Sequence, residues 1–289
     1  MYKSFKWALQ KQQNFGIRIR QQIYKRQTNY PFLSGDSFAM ACDVSVDPNF
    51  KNSKTKLSGA NSIFCPSEKI EDFLAEYGDL ISAKVLVLGN TDRDFYEIPC
   101  EFPSSIKRVY MQNSHISNEL FRTLPIGIEN LRYGQNGLLS LFNRNQFPTE
   151  KKEILLVGPF SLTHPERLEL ADWTKIRDPS LRTISERMSP RNLASLAREF
   201  KFVACPRGNG TDTHRFWETL YRGSIPVVKR SRWSDSISEL GIPIVQLENW
   251  NFEEFLETST KGIWPLFNPE EIPALWMDHW SLTFKSKIE

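Results

Sequence analysis

The sequence lacks the long apolar run that a membrane-spanning helix needs. In its 289 residues no apolar stretch approaches the roughly 20 residues that cross a bilayer. Basic residues interrupt the N-terminus throughout, unlike a secretory signal. The four cysteines, Cys42, Cys65, Cys100 and Cys205, form no CxxC pair, which argues against a zinc site or a disulfide framework. These absences predict a protein of the reduced cytoplasm.

Composition and length exclude several further classes of protein. The chain is 40% hydrophobic and 25% charged, which is typical of a globular protein and not of a disordered or collagen-like chain. No repeat with a period of roughly 20–50 residues is visible, so a solenoid is not expected. The length fits one large domain or two domains of ordinary size.

Positive charge is concentrated near the N-terminus. Residues 1–35 carry seven basic side chains and no acidic one, so the remainder is mildly acidic although the net charge is +3. The basic residues are Lys3, Lys6, Lys11, Arg18, Arg20, Lys25 and Arg26. A basic helix with interleaved apolar side chains can pack on the protein body, lie on an anionic membrane or contact nucleic acid. Because no nucleic-acid-binding motif accompanies it, we expect residues 1–26 to contact the body or a membrane and not nucleic acid.

Strand-like and helix-like segments alternate along the chain, which predicts an α/β protein with mostly parallel strands. Strands are predicted at 61–65, 84–88, 106–111, 124–128, 153–157, 201–205, 225–228 and 242–247, and helices at 67–77, 164–175, 190–200, 213–222 and 268–286. We expect an N-terminal α/β unit over residues 1–145, which begins with the basic helix. A second α/β unit follows over 146–270, and a C-terminal helix over 271–289.

The segment 201–228 holds the most informative pattern. A predicted strand leads into a loop, residues 206–212, that contains Gly208 and Gly210, and a helix follows at once. In parallel sheets ligands bind beyond the carboxyl ends of the strands, and glycines let the backbone approach an anion closely. The glycine spacing matches neither GxGxxG nor GxxxxGK[ST], so the loop alone predicts an anion site only weakly.

The predicted helix adds a polar pair. Arg215 falls in the first turn, where a cation is unfavourable against the helix dipole unless an anion such as phosphate shares the site. Glu218, one turn later, is placed to accept hydrogen bonds from two neighbouring hydroxyls of a ribose or another sugar. The alternative interpretation is a solvated Arg–Glu pair, worth only about 0.2–0.5 kcal/mol.

Together these residues resemble a known donor-binding segment. The succession of a strand, Pro-Arg-Gly-Asn-Gly at 206–210, Asp-Thr-His-Arg at 212–215, Trp-Glu at 217–218 and Gly-Ser-Ile-Pro-Val-Val at 223–228 is similar to that of exostosin-like glycosyltransferases. The similarity covers residues 201–248. Gly-Asp-Ser-Phe at 35–38 and the segment 124–130 resemble microbial relatives of that family. The resemblance implies the GT-B fold, in which two Rossmann-like α/β domains face a central cleft.

The resemblance also implies an activity: a sugar is transferred from a nucleotide-sugar to a hydroxyl of a glycan or a lipid-linked acceptor, with inversion and without a metal or other cofactor. Positive side chains and a helix N-terminus would replace the cation. Asp92-Arg93-Asp94 has the letters of a metal-binding DxD element, but it lies in the N-terminal half. The donor-binding residues that the resemblance implies are Arg207, Gly208, Asn209, Gly210, Thr211, Asp212, His214, Arg215, Glu218 and Lys229.

An inverting displacement needs a general base for the acceptor hydroxyl, and we expect it in the N-terminal unit, facing the cleft. Asp92 follows the predicted strand 84–88, His115 follows the strand 106–111, and Asp36 follows a glycine near the end of the basic segment. Each of the three is also compatible with an ordinary turn-capping or solvated side chain.

Three other functions remain open on the sequence alone. The first is a non-catalytic module that binds a sugar-nucleotide or glycan, the second a nucleic-acid-binding protein acting through residues 1–26, and the third an enzyme that cleaves phosphate esters. For the glycosyltransferase, the expected partners are a nucleotide-sugar, a glycan or glycolipid acceptor and an anionic membrane contacted through residues 1–26. The protein would then be cytoplasmic and peripheral at the inner membrane face.

Overall fold

The computed structural model describes residues 27–50, 52–53, 55–116, 118–142, 153–261 and 268–286. The predicted basic helix within residues 1–26 lies outside the described residues, and so does the predicted boundary near residue 145. Within them, strands and helices alternate and the strands form two sheets. This confirms the predicted α/β class.

The first sheet contains six described strands in the order β2-β1-β3-β4-β5-β6, and only β2 is antiparallel to its neighbour. The strands are β1 (Val44–Ser45), β2 (Asn52–Ser53), β3 (Ser62–Pro66), β4 (Val85–Gly89), β5 (Arg108–Met111) and β6 (Phe121–Thr123). β3 and β4 are buried along their whole length, as expected of strands covered on both faces.

The second sheet contains five described strands, all parallel, in the order β11-β10-β9-β7-β8. They are β7 (Glu153–Val157), β8 (Leu181–Thr183), β9 (Phe200–Ala204), β10 (Ile225–Lys229) and β11 (Val245–Leu247). β8 pairs with one side of β7, and the next strand, β9, pairs with the other side. The order of the strands in the sheet therefore reverses direction between β7 and β9. Such a reversal opens a crevice beyond the carboxyl ends of the two central strands, where ligands bind in open α/β sheets.

Helices connect the strands. The α-helices are α1 (Gly35–Ala41), α2 (Ile70–Tyr77), α3 (Glu166–Glu169), α4 (Pro190–Ala197), α5 (His214–Tyr221), α6 (Arg232–Glu239), α7 (Phe252–Lys261) and α8 (Met277–Lys285). Short 3-10 turns occupy Leu57–Gly59, Ser67–Lys69, Gly78–Leu80, Leu131–Tyr133, Leu139–Leu141, Leu170–Lys175, Pro269–Glu271 and Pro273–Leu275. In the described residues, no helix is long and apolar enough to cross a membrane.

The strand predicted at 124–128 is wrong. The sixth strand ends at Thr123, and the following segment is a loop. Pro125 has no N–H to give to a ladder, and Gly127 adopts a left-handed φ of 71° that a regular strand does not use. Two of its backbone groups, the N–H of Ile126 and the carbonyl of Gly127, bind the other half of the molecule instead.

Two predicted helices are shorter than expected. The segment 164–175 contains only the single α-helical turn of α3, followed by 3-10 turns. The C-terminal segment begins with two 3-10 turns, each started by a proline, and α8 begins only at Met277. Proline is accepted at the first position of a helical turn but not in its interior, which explains this interruption.

The two halves share one hydrophobic core. Phe32, from the N-terminal half, packs edge-on against Tyr221 of α5 with ring centroids 4.9 Å apart. α8 returns to the N-terminal half, where Trp280 meets Phe38 of α1 at 5.8 Å and Phe284 is fully buried. This shared packing fixes the edges of the two sheets relative to each other.

Removing the Trp280 side chain should therefore destabilise the whole chain. Trp280 is 2% exposed, and its Nε1 donates to Ala274 O at 2.9 Å. We expect Trp280→Ala to lower the free energy of unfolding by about 3–5 kcal/mol, measured by urea denaturation. Leu282→Ala, on the same helix but 72% exposed, should change it by no more than about 0.5 kcal/mol. Equal stabilities for the two variants would contradict a core position for Trp280.

Candidate functional site

The loop 206–212 follows β9, and side chains of the N-terminal half hold it by hydrogen bonds. We call these contacts the loop grip. Asp94 Oδ1 accepts from the backbone N of Thr211 at 2.9 Å, and Asn113 Oδ1 accepts from the N of Asp212 at 2.8 Å. Glu166, in the second half, accepts from the N of Arg207 at 3.1 Å. Protein side chains thus already use these loop N–H groups. These three N–H groups are therefore not offered to a phosphate, and the predicted donor contacts of the loop backbone at 208–210 stay a prediction.

The two loop glycines have a packing role. A Cβ on Gly210 would lie 2.7 Å from both Asn113 Oδ1 and the carbonyl oxygen of Asp92, and one on Gly208 would lie 2.9 Å from Arg167 Nη2. The loop therefore needs glycine so that it can approach protein groups. Asn209, at the loop tip, donates through Nδ2 to Asp92 Oδ2 at 3.2 Å.

Asp94 is the charged centre of this grip. Burial alone would raise its pKa, but hydrogen bonds from His115 and Thr211 and the positive charge of Arg207 outweigh burial and lower the pKa to about 2. Arg207 Nη2 donates directly to Asp94 Oδ2. The guanidinium of Arg207, predicted to meet a diphosphate, is thus held by an ionised carboxylate in this structure.

Asp212 also joins the two halves. Its Oδ2 accepts from the backbone N of Ile126 at 2.8 Å, and its Oδ1 accepts from Trp217 Nε1 at 2.7 Å. Burial raises the pKa of Asp212 to about 8, and the residue is only 2% exposed. Its predicted donor contact is corrected here, because a buried carboxyl group that binds the interior does not reach a ligand.

A cavity of about 470 Å³ lies at the crevice between β7 and β9. Its wall combines the segment after β7, the residue Pro206 after β9, the start of α4 and two residues from the N-terminal half. The lining includes Arg167, Arg187, Arg215, Pro159, Phe160, Ser161, Ser189, Pro206, Gln135 and Asn136. We call it the arginine pocket. Among the described residues, its lining carries three arginines and no acidic residue.

The electrostatics of the arginine pocket favour an anion. Arg167 is fixed by two backbone carbonyls, since Nε donates to Arg207 O at 2.9 Å and Nη1 to Ser161 O at 2.6 Å. Burial and the neighbouring charge of Arg215 lower the pKa of Arg167, so the two cations repel each other. The N-terminus of α4, capped by Ser189, adds the positive end of a helix dipole.

Arg215 has an incomplete set of partners. Nη2 donates to Pro159 O at 3.1 Å, and Nε lies 3.9 Å from Glu218 Oε2. Nη1 is buried and has no hydrogen-bond partner among the described residues. A buried donor without a partner costs about 1–3 kcal/mol. Arg215 therefore keeps hydrogen-bonding capacity that its contacts with the described residues do not use.

Glu218 lies inside the helix–sheet packing and does not line the arginine pocket. It is 7% exposed, and its Oε2 accepts from the buried Arg222 Nη1 at 3.2 Å. The predicted polar stripe of Arg215, Glu218 and Arg222 is therefore an ion-pair network. Through it, Glu218 orients Arg215.

Lys229 lies away from the arginine pocket. It lines a second cavity of about 490 Å³ at the ends of β9 and β10, together with Arg207, Thr211, His115 and Tyr96, and its Nζ is 3.5 Å from Glu169 Oε2. The structure thus separates Lys229 and the Arg207 side chain from Arg215, although all three were predicted to bind the donor.

A third cavity, of about 610 Å³, opens at the carboxyl edge of the first sheet. Carboxylate, amide and imidazole side chains dominate its lining, so we call it the polar cavity. These side chains are Asp47, Asn49, Glu68, Asn90, Asp92, Glu129, Asn130 and His214. Such groups bind the hydroxyls of a polyhydroxylated molecule in both donor and acceptor roles.

The three predicted bases have different surroundings. Asp92 is exposed and lines the polar cavity. His115 is 7% exposed, lines the second cavity, stacks on Tyr96 at 4.4 Å, and has its Nε2 3.2 Å from Thr211 Oγ1. The structure therefore brings Asp92, but not His115, to the polar cavity.

The prediction for Asp36 is corrected. The side chain is fully buried, and Arg132 Nη1 lies 2.7 Å from its Oδ1. Burial raises the pKa of Asp36 to about 7, although the charge of Arg132 opposes the shift. Arg132 lines the polar cavity and Asp36 does not. Asp36 is therefore placed to hold Arg132 and not to touch a substrate.

Sequence reasoning missed Arg167, Arg187, Asn113 and the structural role of Asp94. Arg167 and Arg187 lie 39 and 19 residues before the first residue of the loop, Pro206, in segments without a motif. A signal for Asn113 existed, since it lies two residues after the strand β5. In the structure it takes a left-handed φ of 52°, a conformation that asparagine tolerates better than most residues.

Comparison with protein-family models and with curated proteins found no match to this chain. The geometry of the cavities is therefore the basis for assigning a function.

Replacing Asp94 should reduce the acid sensitivity of the fold. Because the folded pKa of Asp94 is below its ordinary value of 3.8, the ionised form stabilises the protein above about pH 4, and this contribution is lost as the pH falls through about 2. We expect unfolding free energy to fall across this window by about 1–2 kcal/mol more in the wild type than in Asp94→Asn, allowing for solvent screening. Urea denaturation at several pH values measures this difference.

Asp172→Asn is the matched control for that experiment. Asp172 pairs with Lys175 on the surface, and its side chain is 76% exposed, so its replacement should leave the acid dependence unchanged. An Asp94→Asn variant that loses stability with acid as steeply as the wild type would show that Asp94 is not the charged centre of the grip.

Proposed function

We propose that this protein is a GT-B-type glycosyltransferase of the exostosin-like kind. It transfers a sugar from a nucleotide-sugar to a hydroxyl of a glycan or lipid-linked acceptor. The diphosphate of the donor binds in the arginine pocket, and the acceptor binds in the polar cavity. The two parallel sheets with facing carboxyl edges agree with this proposal.

The arginine pocket is the observation that carries the proposal. It lies at the strand reversal of the second sheet, where nucleotides bind in open α/β sheets. In the part of the chain that the structure describes, its lining combines three arginines with a helix N-terminus and contains no carboxylate. One buried arginine donor faces no protein acceptor in the described residues. Arginine binds phosphate oxygens through two parallel hydrogen bonds, so these groups suit a diphosphate.

The start of α5 connects the two sites. His214 and Arg215 are consecutive residues, yet His214 lines the polar cavity and Arg215 lines the arginine pocket. A donor phosphate on Arg215 and an acceptor beside His214 would therefore lie on either side of one helical turn. This arrangement favours transfer between two bound molecules over simple binding of one.

The proposed chemistry is an inverting displacement without a metal. Arg167 and Arg215 stabilise the negative charge that grows on the leaving diphosphate. Glu218 does not line the arginine pocket, so its part in the proposed mechanism is to orient Arg215 through their ion pair.

Loss of Arg215 should remove donor binding. Wild type is screened by thermal shift against a panel of UDP- and GDP-sugars, and the affinity of the selected donor is then measured by calorimetry. Because a hydrogen bond to a charged group is worth about 1.5–3 kcal/mol, we expect Arg215→Ala to weaken the affinity by at least about tenfold. Urea denaturation checks that the variant still folds.

Arg177→Ala is the matched control, since Arg177 is exposed and donates only to Thr174 O among the described contacts. It should bind the donor as the wild type does. Unchanged affinity in Arg215→Ala would refute the arginine pocket as the donor site. Donor binding without transfer to any acceptor would identify a binding module and not an enzyme.

We further propose that residues 1–26 bring the enzyme to a lipid-linked acceptor at the inner face of the cytoplasmic membrane. Their basic and apolar residues suit an anionic surface. Each basic side chain near such a surface contributes about 1 kcal/mol to the free energy of membrane binding. The full chain should float with vesicles that contain anionic phosphatidylglycerol and much less with neutral vesicles. A chain without residues 1–26 should not float. Equal flotation of both chains would refute this membrane contact.

A further inference from the structure

His214 is held in an orientation typical of a proton acceptor. It is the first residue of α5, and its Nδ1 lies 2.8 Å from the carbonyl oxygen of Gly127. A carbonyl only accepts hydrogen bonds, so Nδ1 carries the proton and donates it. In a neutral imidazole the other nitrogen, Nε2, then bears the lone pair.

The partner of His214 is fixed by its own backbone. Gly127 has a φ of 71°, and a Cβ there would lie 2.1 Å from the carbonyl oxygen of Leu33. Only glycine fits, and the N–H of the next residue, Ile128, is bound to the same Leu33 carbonyl at 2.8 Å. The Gly127 carbonyl is therefore a rigid acceptor that sets the tautomer of His214.

The polar cavity supplies the surroundings that a reacting hydroxyl needs. Its other charged lining residues are Asp47, Glu68, Lys69, Asp92, Glu129 and Arg132. Three of the four carboxylates already accept hydrogen bonds from the N-terminal half: Asp47 from Asn90, Glu68 from Thr91, and Glu129 from Asn136. They are fixed groups that suit the positioning of hydroxyls.

Asp92 is the remaining carboxylate of the polar cavity, and its Oδ2 accepts from Asn209 of the gripped loop. It is exposed to solvent. His214 is partly buried, and it is adjacent in sequence to the arginine that faces the donor. His214 is therefore the neighbour of a residue that is proposed to bind the donor, whereas Asp92 contacts the tip of the loop 206–212.

We propose that His214 Nε2 is the general base of the transfer reaction; this inference rests on the proposed function. The acceptor oxygen forms a bond to the anomeric carbon of the donor sugar as its proton passes to Nε2. The bond from that carbon to the phosphate oxygen breaks, and the nucleoside diphosphate leaves with the electron pair. Asp92 positions the acceptor hydroxyl and does not take its proton.

His214→Asn separates a catalytic role from a structural one. The asparagine amide retains an N–H near the position of Nδ1, which preserves the bond to Gly127, but it has no basic nitrogen. The assay uses UDP-glucose, UDP-N-acetylglucosamine and GDP-mannose as donors and a panel of mono- and disaccharides as acceptors. We expect unchanged donor affinity, kcat lower by about 10²–10⁴-fold, and loss of the acid limb of the pH–rate profile.

His279→Asn and Asp92→Asn complete the design. His279 lies on α8 beside Trp280, remote from the polar cavity, and its replacement should leave kcat unchanged. Asp92→Asn should raise KM more than it lowers kcat and should keep the acid limb. If His214→Asn transfers at the wild-type rate, loses donor affinity, or retains the acid limb while Asp92→Asn loses it, His214 is not the base. If the wild type binds none of the nucleotide-sugars, the proposed function itself fails, and the assignment of His214 fails with it.

Discussion

The hydrogen bonds that the N-terminal half makes to the loop after β9 determine the geometry of every cavity described above. Asp94 and Asn113 bind consecutive N–H groups of that loop, at Thr211 and Asp212. Asp212 in turn binds the N–H of Ile126. Each of these bonds joins residues about a hundred positions apart in sequence, so the loop cannot move without both sheets. The carboxyl edges of the two sheets therefore meet at a fixed distance.

The grip also determines which cations remain available to a ligand. Asp94 takes the charge of Arg207, while Glu218 is shared between Arg222 and Arg215. Arg167 is bound by carbonyl oxygens, which are dipoles and not opposing charges. The positive charge of Arg207 is thus neutralised at the loop, whereas that of the arginine pocket is only partly compensated. Like charges held together without a counter-ion lower the stability of the folded protein, and a bound anion would raise it.

Several parts of this arrangement could be predicted from local sequence. The strands β4 and β7, the proline start of α4 and the helix that carries Arg215 follow from apolar runs and capping signals. The segment 124–128 could not be predicted in this way, because its apolar residues suit a strand, whereas Pro125 and Gly127 prevent one. Its backbone groups instead bind Asp212 and His214. The interpretation of Gly208 and Gly210 as contacts to an anion could not foresee their surroundings, since their close neighbours are protein atoms, including the backbone carbonyl of Asp92 beside Gly210.

The sequence by itself determined the α/β class, the position of the loop 206–212 and the presence of a cation in the first turn of α5, because these depend on residues close together in the chain. Only the tertiary structure decided which charges oppose one another. It paired Arg207 with Asp94, buried Asp36 and Asp212, and collected Arg167, Arg187 and Arg215 around one cavity. Charge pairing and burial depend on distances through space and not on separation along the chain. The strand reversal between β7 and β9 brings together the segments that line the arginine pocket, and no local sequence pattern connects those segments.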